Sequence, residues 1–357
     1  MLRLSRRSPL AAALLAVALS ACAAPAAAPP PKPAPAPTAA SAPAASGAPA
    51  AATAPTAAAA VPSAPQKVRI AVQMNVTVAP LVLADERGYF KDAGIDLEIV
   101  PMGGGSEMAA PLATGEIDAG LGGISVSLFN ALARGMDAKI VSDFSRMSRG
   151  HGFGGFVVRN DVEYTGIPGL RGKLLGFNNP GSPCHYMVGK MLESAGLTLT
   201  DVQTTYIPFP TIPGAMAKKE IDAACAAEPW VANTVHAGDA RLVLTYDEIV
   251  PDMQTSTVMI STRMLGNRPL TERFIAAFLR AAPEAKEKSP EVLEVVARHT
   301  GLAVDVLQDT YWTDVDNGGQ VNVASIKDQL EFFTRAGLVQ GTVDVDRFID
   351  MSYLPSQ

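Results

Sequence analysis

The side chains of this chain that could engage a small molecule sit at breaks between short apolar runs. Gln73 and Asn75 follow the run 68–72, Ser106 follows Gly103-Gly104-Gly105, and Ser125 follows Gly122-Gly123-Ile124. In the second half, Asn178 follows the run 173–177, Ser182 and His185 follow Asn179-Pro180-Gly181, and Glu228 and Trp230 flank Pro229. Amides, hydroxyls, one imidazole, one carboxylate and one indole suit the binding of polar and aromatic groups. They do not compose a catalytic set. The chain has no G-x-S-x-G, no His-Glu-x-x-His and no G-x-G-x-x-G after a strand. Gly103 to Gly105 lacks the Gly-Lys-Ser/Thr of a phosphate loop and fits a tight turn equally well. Asp314 to Gly319 begins like a calcium loop, but Gly318 stands at the third ligand position and Ser325 at the twelfth. The four histidines are scattered. A binding protein with no cofactor and no metal is the expectation.

Each candidate also has a structural role open to it. Ser182 is placed to cap a helix, His185 to sit solvated on one, and Trp230 to pack in a core. Glu228 could cap the helix that starts beside Pro229. If it binds ligand, its truncation should weaken binding and spare stability; if it caps, the reverse holds. A carboxylate in a binding site suits an amine, an amidine-like ring edge or a cation. It opposes a bare anion unless Arg146 or Arg149 balances it.

The elements that must position these groups alternate strand with helix. Residues 68–72, 95–100, 117–121 and 138–142 read as strands, with helices over 80–91, 106–114 and 125–134. A second run puts strands at 173–177, 202–207, 221–225 and 241–245, with helices at 182–195, 211–219 and 229–237. The tail from Leu270 is mainly helical. This rhythm implies two doubly wound, mostly parallel α/β lobes. An internal echo supports the duplication: Leu112-Ala113-Thr114-Gly115-Glu116-Ile117-Asp118-Ala119 returns as Met216-Ala217-Lys218-Lys219-Glu220-Ile221-Asp222-Ala223. Lobe one is expected from 66–160 and 250–357, lobe two from 161–249. The segments 156–159 and 256–261 are expected to be the two crossings. Ligands in open α/β sheets sit beyond the carboxyl ends of the strands, where the candidates lie, and helix N-termini there favour anions or polar heads.

The first 65 residues read differently. Arg3, Arg6 and Arg7 precede an apolar run over 9–19 that is short for a bilayer span, and Ser20-Ala21-Cys22 completes a lipoprotein signal. Cleavage after Ala21 and lipidation at Cys22 are expected. Arg6-Arg7 also resembles a twin-arginine export signal, although general export is the favoured route. From Cys22 to Pro65 the chain is almost wholly Ala, Pro, Ser and Thr, which suits an extended tether. The whole chain carries a formal charge of −6; the cations Arg3, Arg6, Arg7 and Lys32 lie in this part, which leaves −10 on the body. A net acidic body without a basic run argues against nucleic acid. Cys184 and Cys225 do not make a disulfide framework and are expected to be buried free thiols.

From Val68 to about Leu338 the chain resembles the solute-binding proteins of sulfonate, taurine, nitrate and thiamine-pyrimidine importers. The resemblance rests on the order and spacing of four stretches: Ala84 to Ile95, Leu112 to Ala119, Met187 to Leu197 and Glu228-Pro229-Trp230. It implies a type II periplasmic-binding-protein-like fold, in which two lobes close on a small molecule like a hinged trap. The implied partners are that ligand, an ABC permease and its ATPase, and a membrane through the lipid anchor. A monomer at the periplasmic or cell-surface membrane is expected. The rival readings are a thiamine-pyrimidine-synthase-like enzyme, whose Cys-rich loop two scattered cysteines do not supply, and a sensory lipoprotein.

Overall fold

The structure, a computed structural model, describes residues 64–103, 105–312, 314–315 and 318–356. The expected export signal, Cys22 and nearly all of the tether lie outside the described residues, as do two positions of the calcium-like stretch, 316 and 317.

Ten strands form two five-stranded sheets. The first holds β1 (Gln66–Val72), β2 (Ile95–Pro101), β3 (Ala119–Gly123), β4 (Ala138–Met147) and β10 (Met253–Ser261), in the order β2-β1-β3-β10-β4. The second holds β5 (Gly154–Arg159), β6 (Leu174–Phe177), β7 (Gln203–Tyr206), β8 (Ala223–Ala227) and β9 (Ala240–Thr245), in the order β7-β6-β8-β5-β9. Three strands in each are parallel, and the fourth in order, β10 or β5, runs against its neighbours. The two expected α/β lobes are thus present with one design.

The echo has a physical cause. Asp118 Oδ2 accepts the Arg69 N–H in β1 at 2.9 Å, and Asp222 Oδ2 accepts the Leu174 N–H in β6 at 2.9 Å. The amides of the same aspartates donate back to the Arg69 and Leu174 carbonyls. Each aspartate also meets an arginine, Arg263 at 2.6 Å and Arg159 at 3.2 Å. Just upstream, Gly115 (φ +72°) and Lys219 (φ +60°) both turn left-handed to end the preceding helix. One short motif therefore ends a helix and clamps the central strand in each lobe.

Both expected crossings need correction. The segment 256–261 lies within β10 and pairs with β3 and β4, inside the first sheet. The strand 156–159 was expected to be the other crossing, with lobe two starting at 161. It pairs instead with β8 and β9, inside the second sheet. The two glycines that open β5 are there for close approach. A Cβ on Gly154 would fall 2.5 Å from the Ala226 carbonyl oxygen, and one on Gly155 would fall 2.6 Å from that of Leu244. The chain crosses before Gly154.

Helix Val323–Arg335 joins the lobes. Phe332 and Phe333 are buried against Tyr186 of the second-lobe helix Pro183–Ser194, and Phe333 also meets Phe129 of the first-lobe helix Val126–Ala133. Tyr186 donates to Asp328, which Lys190 also meets at 3.2 Å. Among the described residues no helix is long and apolar enough to cross a membrane.

Candidate functional site

A cleft of about 450 Å³ opens between the lobes at the carboxyl ends of β1, β3, β6 and β8. Gln73, Asn75 and Ser125 line it from lobe one; Asn178, Ser182, Glu228 and Trp230 line it from lobe two. The topology brings these seven expected residues together because each follows a parallel strand, directly or by one turn.

Local chemistry fixes several of them. Asn75 Oδ1 accepts the Thr77 N–H at 2.9 Å and caps a single turn. Ser125 Oγ accepts the Leu128 N–H at 3.4 Å, and Ser182 Oγ accepts the His185 N–H at 3.2 Å. Both serines are N-caps that also face the cleft. The Oδ1 of Asn178 is sealed from solvent and has no hydrogen-bond partner.

Glu228 is buried, 3 % exposed, and its two oxygens have separate tasks. Oε2 accepts the Ala232 N–H at 3.1 Å, capping helix Trp230–His236, and Oε1 accepts the Tyr311 N–H at 3.2 Å. Tyr311 precedes Trp312, which is packed in the first-lobe core, so the carboxylate ties the lobes together. Burial pushes its pKa up, and the two amide donors oppose that shift. Glu228→Ala strands two backbone donors. It is expected to lower stability by about 1–3 kcal/mol, on the scale of lost bonds to a charged acceptor. Unchanged unfolding in urea would remove the capping role.

His185 does not reach the cleft. Its ring stacks on Phe177 at 5.2 Å and meets Phe332 and Phe333 edge-on, while Nδ1 accepts the Gly181 N–H at 3.0 Å. Burial lowers its pKa and favours the neutral ring that this bond needs. It braces the Gly181 turn from behind. The backbone of Ser106 lies in helix Gly105–Thr114, and its side chain lies outside the described residues.

The cleft holds groups that strand ends did not suggest. Phe153, Phe209 and Tyr246 add aromatic surface, and Thr255 adds a hydroxyl from β10. Tyr246 Oη lies 2.7 Å from Cys184 Sγ and accepts from Cys225 Sγ at 3.1 Å. Both cysteines are buried free thiols. Burial, and then the neighbouring Cys184 thiol, push the Cys225 thiol up. A sequence signal for Tyr246 exists: Thr245 to Glu248 is a capping box at the end of β9. Among the described residues no group of three or more His, Cys, Asp or Glu could hold a metal.

The lobes also meet directly across the cleft. The Val126 N–H, first in its helix, donates to the Gly181 carbonyl at 3.1 Å. Gly181 is left-handed, φ +75°, and a Cβ there would lie 2.5 Å from Val126 Cγ2.

Two α/β lobes with a shared cleft at their strand ends define the two-lobed architecture of periplasmic binding proteins. Residues 75–291 match the family described as NMT1/THI5 like, and the chain belongs to that family. YtlA of Bacillus subtilis (strain 168), whose name marks it as a candidate binding protein, is 25% identical over 221 residues. That match spans 60% of this chain and 65% of the relative's length, just under two thirds. The periplasmic aliphatic sulphonate binding protein SsuA of Escherichia coli shares the fold with a TM-score of 0.69 at 20% identity, over 80% of this chain and 92% of SsuA. The desulfurization enzyme DSZB shares it with a TM-score of 0.59 at 16% identity, over 80% of this chain and 97% of the enzyme.

Proposed function

We propose that this chain is the extracytoplasmic solute-binding component of an ABC importer. The observation that carries the reading is the cleft itself, built jointly by the strand ends of both lobes and spanned by bonds between them. A hinged trap needs that arrangement, since closing on a solute excludes water and strengthens each polar contact. The name of SsuA and the resemblance in sequence point to a small sulfur- or nitrogen-containing molecule as the solute. The partners are a permease and an ATPase, and the chain works as a monomer.

We read the site as one that binds and releases unchanged solute. The thiol nearest the cleft, Cys184, has the Tyr246 hydroxyl as its partner, and burial pushes that hydroxyl well above its ordinary pKa. A nucleophilic cysteine needs a base or a cation beside it to form thiolate.

Thermal unfolding of the protein with candidate solutes tests capture, because a ligand that binds only the folded state raises the melting temperature. The rise should vanish in Trp230→Ala. A rise that persists in that variant would place binding elsewhere and remove the cleft from the proposal.

The membrane anchor is part of the same proposal. Lipid at Cys22 and an extended tether would hold the body off the membrane at the periplasmic or cell surface. Cys22→Ala is expected to move the protein from the membrane fraction to the aqueous one, with unfolding of the body unchanged. Full retention on membranes without detergent would rule the anchor out.

A further inference from the structure

Resting on the solute-binding reading, we propose that this cleft takes an aromatic molecule that is uncharged or cationic and donates N–H hydrogen bonds, and that it rejects oxyanions. Three sets of observations converge on this.

The first is charge. No Lys, Arg or His is among the described residues that line the cleft. The two arginines that could have balanced an anion stand away from it. Arg146 lies 3.8 Å from Asp143, and Arg149 is exposed; neither lines the cleft. The one carboxylate in the wall, Glu228, has backbone amides as its partners. An oxyanion here would be desolvated beside a like charge with no counter-charge in the wall, the costly arrangement for a buried ion.

The second is the state of the helix starts. A helix N-terminus binds anions through its free N–H groups. In lobe one the first such group, on Val126, is spent on the Gly181 carbonyl, and the third, on Leu128, is spent on Ser125. In lobe two the first helical residue is Pro183, which has no N–H, and the third, His185, is spent on Ser182. Two of the first three positions in each helix are thus closed to an oxyanion, by a bond within the protein or by proline.

The third is what the wall offers instead. Phe153, Phe209 and Trp230 present aromatic surface, with Phe144 and Tyr246 buried in the wall behind them. Gln73 and Asn179 add exposed side-chain amides, whose oxygens accept hydrogen bonds. Rings suit a flat ligand, and amide oxygens together with a carboxylate suit N–H groups on that ligand's edge.

Calorimetry and thermal unfolding of the full chain test this with paired probes. Benzamidine, 2-aminopyridine, cytosine and nicotinamide represent the proposed class; benzenesulfonate, benzoate and nicotinate present rings with an oxyanion; taurine and nitrate are anions without a ring. At least one of the first group is expected to bind ten-fold or more tightly than every anion. Glu228→Gln should reduce that preference for benzamidine, and Trp230→Ala should weaken every ring. An anion that binds as tightly as the best uncharged or cationic ring overturns the ligand class and leaves solute capture standing. Failure of all the rings while taurine or nitrate binds does the same. Failure of every probe overturns both.

Discussion

Phe333→Ala is expected to cost about 3–5 kcal/mol of stability, the range for removing a fully buried phenylalanine from a packed core. Phe333 is 0 % exposed and stands where both lobes meet the joining helix. Its ring centroid lies 6.4 Å from Phe129 in lobe one, and 6.2 Å from Tyr186 and 6.0 Å from His185 in lobe two. Neighbours held by two sheets and a third helix have little freedom to collapse into the space. Phe332 next to it cannot fill the gap, because its own ring is engaged edge-on with Tyr186 and His185. Urea unfolding measures the loss. A cost under about 1 kcal/mol would mean that this seam repacks freely, and the joining role of helix Val323–Arg335 would fall with it.

Gly181→Val is expected to hold the lobes apart and weaken solute capture at least ten-fold, or about 1.4 kcal/mol. Two costs add at this position. A β-branched residue at φ +75° is strained by itself, on the order of 1–2 kcal/mol. The new Cβ would also overlap Val126, whose Cγ2 lies 2.5 Å from its place. The strain falls on the turn, and the overlap falls between lobes. Parting the lobes relieves the second cost without unfolding either sheet. Small-angle scattering should therefore show a larger radius of gyration than in the natural protein, with most of the melting temperature retained. Unchanged dimensions and unchanged affinity would show that Val126 and Gly181 do not govern closure.

The two-lobed fold and much of the cleft lining were legible in the sequence because both follow from local rules. Strand–helix alternation sets the sheets, and each parallel strand delivers its next residues to the same edge. Gln73, Ser125, Asn178 and Glu228 could be placed by that rule alone. The echo was legible for a related reason. An aspartate that clamps the central strand must sit at one fixed distance after a helix end, so Asp118 and Asp222 carry matching neighbours.

What stayed hidden depends on contacts far apart in the chain. His185 turns away from the cleft because Phe332 and Phe333 cover it, and nothing near His185 announces them. The tie from Glu228 to the Tyr311 amide uses a backbone group, which leaves no trace in residue type. The strand 156–159 read as a crossing, since the partners that place it in the second sheet, β8 and β9, lie far along the chain. Tyr246 was missed because its hydroxyl is satisfied by two sulfurs, from Cys184 and Cys225, on separate elements.

The seam bonds, Val126 to Gly181 and Tyr311 to Glu228, belong to the protein and not to the solute. If the cleft holds a solute, these bonds must break before the lobes part, so they enter its residence time. At a net worth of about 0.5–1.5 kcal/mol for each bond, the pair slows departure by about one to two orders of magnitude. None of that depends on what occupies the cleft. Holding time can then be tuned apart from cargo choice at Val126 and Gly181, whereas Glu228 enters both. A population could shorten or lengthen the holding time through Gly181 or Val126 alone, keeping the same cargo.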